Sequence, residues 1–157
     1  MKRALGIDLG EARVGVAISD SLGLMAHPRE TIRVDKNRPQ TTVARVAEVA
    51  TREDVSVVVL GLPRNMDGTD GPAAQKAREF ADALRAKLPA GCSVRLLDER
   101  MTTVAAQKAL HAGGKNVKNS RAIIDQVAAQ LILQTHLDSE SLRAELTAET
   151  PSPQEET

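Results

Sequence analysis

Val55-Ser56-Val57-Val58-Val59-Leu60 is a short, almost unbroken β-branched run. It does not alternate polar with apolar, so neither face suits water; it reads as a strand covered on both sides. A chain built round such a strand must supply helices for two faces of one sheet. Two earlier apolar runs, residues 3–9 and 14–20, read as paired strands joined by the Gly10-Glu11-Ala12-Arg13 turn. A third strand is expected at Arg29–Val34. Val43, Val46, Ala47 and Ala50 recur at helical spacing and predict a helix over 38–52. Gly61 to Gly71 is broken by Pro63 and Gly68 and reads as a loop. Pro72 opens a helix reaching about Leu88, and Ser93–Leu97 is another strand. A helix over Thr102–His111 is ended by Gly113-Gly114, and Ser120–His136 is a last long helix. The order predicts an α/β fold, with a mixed five-stranded sheet flanked by helices on both faces.

The 157 residues suit one domain, assigned to 1–138. Residues 139–157, with Pro151, Pro153 and clustered glutamates, are expected to be an acidic, disordered tail. Residues 138–157 hold six acids and one base, a net of −5, which leaves +5 on the rest of a chain of zero net charge. A mildly basic body suits an anionic partner. There is no Trp or Tyr and a single Phe, Phe80, so stacking platforms for single-stranded bases are disfavoured and recognition should fall on backbone and shape. The single Cys92 cannot form an internal disulfide, which with no apolar leader or membrane-length stretch points to the cytoplasm.

Asp8 is costly where it stands, a carboxylate in an otherwise apolar strand, unless a cation or phosphoryl-binding role offsets its desolvation. Ala4, Gly6 and Asp8 share one strand face, and these small neighbours leave room for a helix or a ligand. Gly10 just beyond admits backbone approach by a phosphate. The plainer reading is that Asp8 caps a turn or pairs with Arg13. Asp98-Glu99-Arg100 closes the strand after Ser93, at the kind of sheet edge where α/β proteins bind ligands. Neighbouring residues point opposite ways, so Glu99 is taken as the ligand and Asp98 as structural, with Asp98 or Thr102 capping the next helix. On the last helix the apolar stripe reads Ile124, Val127, Ala128, Leu131, Ile132 and Thr135, with Asp125 at its edge. Three carboxylates make an oxygen-only site suited to Mg2+ or Mn2+. His27, His111 and His136 are too scattered for zinc.

Gly6-Ile7-Asp8-Leu9-Gly10, Arg13-Val14-Gly15-Val16-Ala17, Gly61-Leu62-Pro63-Arg64-Asn65-Met66-Asp67-Gly68-Thr69, Asp98-Glu99-Arg100-Met101-Thr102-Thr103 and Ile124-Asp125-Gln126-Val127-Ala128-Ala129 together resemble the motif series of the YqgF family. That family is also called RuvX, the pre-16S rRNA nucleases or Holliday-junction-resolvase-like proteins. The resemblance runs in order across about residues 3–138 and leaves out the acidic tail. It implies a ribonuclease H-like fold and a metal-dependent nuclease that trims the 5′ end of precursor 16S rRNA, with branched DNA as a further substrate. By motif position Asp8, Glu99 and Asp125 correspond to the acidic catalytic and metal-holding set. Lys115, Lys118 and Arg121 would form a basic approach to the last helix, although Ser120-Arg121-Ala122-Ile123-Ile124 is less basic than the family pattern. Arg64 and Asn65 are candidate phosphate contacts, each also readable as part of a structural turn. Arg13 and Arg100 either steady phosphate or orient the carboxylates. The expected partners are structured RNA and branched DNA, with no membrane, the chain acting as a monomer or homodimer.

Two other classes compete. A non-catalytic nucleic-acid-binding or assembly module would bind without cleaving, but gains nothing from carboxylates facing phosphate. An ATP-dependent phosphotransferase would share the Asp-Leu-Gly turn, but needs two such domains around its nucleotide.

Overall fold

The computed structural model describes residues 2–102 and 118–149, with side chains over 123–147 in the last helix. β1 (Arg3–Leu9) and β2 (Arg13–Ser19) form an antiparallel hairpin in which Asp8 lies opposite Gly15. β3 (Ala26–Arg33) extends it as a meander. α1 (Gln40–Arg52) crosses to β4 (Val55–Leu62), which lies parallel to β1. α2 (Pro72–Arg85) returns to β5 (Ser93–Asp98), parallel to β4. A single 3-10 turn, Glu99–Met101, comes after β5, and α3 (Lys118–Glu149) closes the described chain. The five strands stand in the order β3-β2-β1-β4-β5, the mixed sheet expected.

Each face of the sheet has its own core. Leu5, Ile7, Val14, Val16, Val58 and Leu60 point to one side, where α1 and α2 cover them with Val43, Val46, Val49, Ala77 and Leu84. Ala4, Ala17 and Val59 point to the other, against Ala128, Ala129, Ile132, Leu133 and Leu137 of α3. The β-branched run of β4 therefore feeds both cores, which is why it shows no alternation.

Several boundaries move. β4 runs on through Gly61 and Leu62, which pair with Leu97 and Asp98, so the expected loop begins at Pro63. β3 starts at Ala26 and tolerates Pro28 because it is an edge strand, with a register shift opposite Val16/Ala17. α2 stops at Arg85. α3 does not end at His136 and continues helically through Glu149, so the first part of the expected disordered tail, 139–149, is helix. Arg95 on β5 holds this extension through Glu140 at 3.1 Å. The expected helix over Thr102–His111 lies outside the described residues beyond Thr102.

The stripe of α3 is turned by about one residue from the expected one. Its buried positions are Ala128, Ala129, Ile132, Leu133, His136 and Leu137, while Val127, Leu131 and Thr135 are only half-buried. The sheet decides this rotation. A Cβ on Gly6 would fall 2.7 Å from the Ala129 carbonyl oxygen, and one on Gly15 would fall 2.0 Å from that of Asp125. Helix backbone occupies the space of these missing side chains, which seats Ala129 and Leu133 on the sheet and leaves Val127 and Leu131 at the flank.

Candidate active site at the carboxyl ends of the parallel strands

Alternation along β1 puts Ala4, Gly6 and Asp8 on the α3 side, and Asp8 is only 2 % exposed. The room left by the small residues is taken by a helix. Gly10 serves the turn itself: its N–H donates to the Arg13 carbonyl at 3.0 Å, and a Cβ there would lie 2.5 Å from that oxygen.

Glu99 is 8 % exposed and is the first residue of the 3-10 turn. A Cβ on Gly61 would lie 2.6 Å from Glu99 Oε1 and 2.7 Å from Ile132 Cδ1, so the Glu99 carboxylate lies over β4 on the α3 face. Gly61 follows Leu60, the register partner of Ile7, so Glu99 reaches towards the strand that carries Asp8. Asp125 enters from the first part of α3, its backbone pressed on Gly15, the register partner of Asp8. The three carboxylates thus approach one end of one sheet face from β1, from the turn after β5 and from α3. Asp125 is nearer the buried stripe than expected, on the row of Ala128 and Ala129.

Asp125 is engaged there. Arg13 Nε donates to its Oδ2 at 2.8 Å, with the side chains 31 % and 17 % exposed. Among the described residues no three His, Cys, Asp or Glu side chains are grouped so as to hold a metal ion as they stand. The donor chemistry fits one nonetheless. Two buried carboxylates with a third at the rim form an all-oxygen set, the preference of a hard divalent cation. Asp8 and Glu99 would hold the ion, with Asp125 completing the set.

Asp98 does what the alternation predicts for it. Its Oδ1 accepts the Arg100 backbone N–H at 2.9 Å and caps the 3-10 turn, and its Oδ2 accepts from Arg100 Nη2 at 2.7 Å. The Arg100 guanidinium holds the Asp98 carboxyl below the usual carboxylate range, and Asp98 raises Arg100 in turn. Arg64 joins the network at 3.7 Å from Asp98 and 3.2 Å from Asp70, and also donates to the Gly68 carbonyl. Asp70, held low chiefly by Arg78, ties the loop to α2. Asn65 donates to Thr69 Oγ1 at 3.0 Å, and Arg100 Nη1 to the Met66 carbonyl at 3.3 Å. The 63–71 loop is therefore braced by its own polar groups. Arg64, Asn65 and Arg100 spend part of their hydrogen-bonding capacity on it.

Lys115 lies outside the described residues. Lys118 and Arg121 lie in the first turns of α3, upstream of Asp125 on the same helix. Cys92 is half-buried and its thiol is pushed up by burial, away from nucleophilic chemistry. The glycines Gly15 and Gly61 are the positions that reading by residue type missed. Their signal was a glycine inside, or at the end of, an apolar β-branched run.

A family model described as "RuvX: Holliday junction resolvase" matches residues 2–139. The chain is 47 % identical over 137 residues to a protein of Myxococcus xanthus (strain DK1622) named "Putative pre-16S rRNA nuclease", covering 87 % of this chain and 88 % of that one. It is 44 % identical over 137 residues to a protein of the same name from Listeria monocytogenes serovar 1/2a, covering 87 % and 98 %. In structure it is similar to T. thermophilus RuvC in complex with a Holliday junction substrate, with a TM-score of 0.58, 20 % identity and coverage of 90 % and 96 %. A second RuvC structure from Thermus thermophilus gives a TM-score of 0.53 at 18 % identity, covering 88 % and 96 %. The fold is therefore the ribonuclease H-like fold of these resolvases.

Proposed function

This chain belongs to the RuvX family, and from that premise and the geometry of its acidic residues we propose that it is a metal-dependent nuclease acting on the 5′ end of precursor 16S rRNA. The observation that carries this reading is the burial of Asp8 and Glu99, at 2 % and 8 % exposure, on one sheet face beside the α3 segment that bears Asp125. Burying two carboxylates carries a desolvation cost, and their position at the ends of β1 and β5 is where an α/β sheet meets its ligands.

In this reading Asp8 and Glu99 fix the cation, Mg2+ or Mn2+, and Asp125 completes its shell. When bound, such an ion polarises the scissile phosphate and eases deprotonation of the attacking water. The remaining work falls to the chain. Asp8 is held by the hairpin and Glu99 by the Asp98-capped turn, so neither needs to reorganise when substrate arrives. Arg13 and the braced Arg64, Asn65 and Arg100, with Lys115, Lys118 and Arg121, would contact backbone phosphates. Branched DNA is a second substrate class, because recognition through backbone and shape admits both. With such substrates the protein would work in the cytoplasm; among the described residues no helix is long and apolar enough to cross a membrane.

The test is cleavage of a labelled precursor rRNA in Mg2+ or Mn2+ by wild type and Asp8→Asn. We expect the variant to lose at least about 100-fold in rate, the scale of removing one preorganised electrostatic group. Equal rates would sink the assignment. Metal-independent binding with no cleavage of RNA or branched DNA would favour a non-catalytic module.

A further inference from the structure

Arg13 and Asp125 hold each other across 112 residues of sequence. Arg13 opens β2 and Asp125 lies in the early part of α3, so the pair is made by the packing of α3 on the sheet. Both side chains are mostly shielded, and the Nε–Oδ2 distance of 2.8 Å is that of a charge-assisted hydrogen bond. A guanidinium cannot give up its charge by deprotonation. A cation that needs Asp125 must therefore compete with Arg13 for the same carboxylate.

Resting on the site assignment above, we propose that Arg13 is an exchange residue. It occupies Asp125 while the site is without substrate and leaves it for a nucleic-acid phosphate, which frees the carboxylate for the cation. Three features support the exchange. Asp125 is bonded to Arg13, and its backbone lies against Gly15, the register partner of the buried Asp8. Arg13 is 31 % exposed, so part of its side chain stays open to an arriving backbone phosphate. A guanidinium matches phosphate as well as it matches carboxylate, so the switch replaces one charge-assisted partner by another. Its consequence is positive coupling: cation and nucleic acid each tighten the other's binding, by the same factor in both directions. The site is thereby kept weak for cations until a phosphodiester is in place.

The experiment is an equilibrium titration of the full chain with Mn2+, monitored by electron paramagnetic resonance of the free ion. It uses wild type, Arg13→Gln, Asp125→Asn, the double variant and Asp8→Asn. We expect Arg13→Gln to bind Mn2+ alone roughly tenfold more tightly than wild type, within the usual span of coupling energies. In the Asp125→Asn background the same substitution should have no effect, because the competed carboxylate is gone. With a phosphorothioate RNA hairpin, which resists cleavage, wild-type affinity for Mn2+ should rise and most of that rise should vanish in Arg13→Gln. Arg13→Gln binding Mn2+ no better than wild type would overturn the exchange, as would an equal gain in both backgrounds, which marks a general field effect. Retention of full Mn2+ binding by Asp8→Asn is a separate failure: it removes the site assignment itself.

Discussion

Gly61 controls where the Glu99 carboxylate can sit. Its added Cβ would meet Glu99 Oε1 at 2.6 Å and Ile132 Cδ1 at 2.7 Å, both far ends of flexible side chains. Gly61→Ala should therefore cost the fold only about 1 kcal/mol, at the mild end of overpacking. The carboxylate must move, and a displacement of that order costs about 100-fold in a positioned reaction. We expect cleavage to fall about 100-fold while the melting temperature drops by no more than about 4 °C. Activity and stability falling in proportion would show that Gly61 serves packing alone. At this scale much was legible: strand alternation alone gave the face of Asp8 and separated Glu99 from Asp98. What was not legible was the engagement of Asp125 by Arg13, since nothing local to either residue specifies a partner 112 positions away.

The element that matters most is α3. Its contact with the hairpin is backbone on backbone at Gly15, where a Cβ would stand 2.0 Å from the Asp125 carbonyl oxygen. Unlike the side-chain ends at Gly61, this oxygen cannot swing aside. Gly15→Ala should push the first part of α3 off the sheet, at a cost of about 3 kcal/mol, the upper range of ordinary overpacking. Denaturant unfolding would measure it, and a loss under about 1 kcal/mol would mean the helix shifts freely. The same contact explains the misplaced stripe. Apolarity along α3 favours Val127 and Leu131 as core beside Ala128 and Ile132, but close approach to Gly6 brings in Ala129 and Leu133 instead, so steric fit to another element overrides part of the helix's own pattern. The helix also runs past the sheet to Glu149, with Leu142 and Leu146 exposed. Composition points to disorder there because it weighs Pro151 and Pro153, which lie beyond the helix, together with the glutamates.

For the whole molecule, acid should act in two stages. His136 is buried on α3, and burial pushes its imidazole below the ordinary 6.5, opposed by Glu140 and aided by Arg95 and Arg143. The unfolded chain then takes up this proton first, so stability falls as pH drops from about 6.5 towards the lower folded value. Asp98 behaves differently: Arg100 holds it below the ordinary 3.8, so its contribution is present above that pH and lost as pH falls through the lower folded value. In urea midpoints, His136→Gln should lose less stability than wild type between pH 7 and pH 5, and both should lose it alike near pH 3. Equal slopes between pH 7 and pH 5 would show that His136 is not the group.

The hairpin, the doubly covered β4, the sheet class and the faces of the strand acids could all be read along the chain, because each follows from the chemistry of residues a few positions apart. The resemblance of the ordered motifs supplied the family. The rotation of α3, the close approach at Gly15 and Gly61, and the hold of Arg13 on Asp125 came only with the folded molecule. Those depend on which surfaces meet after the chain has folded back on itself, and the atoms that decide them lie on different elements, far apart in the chain.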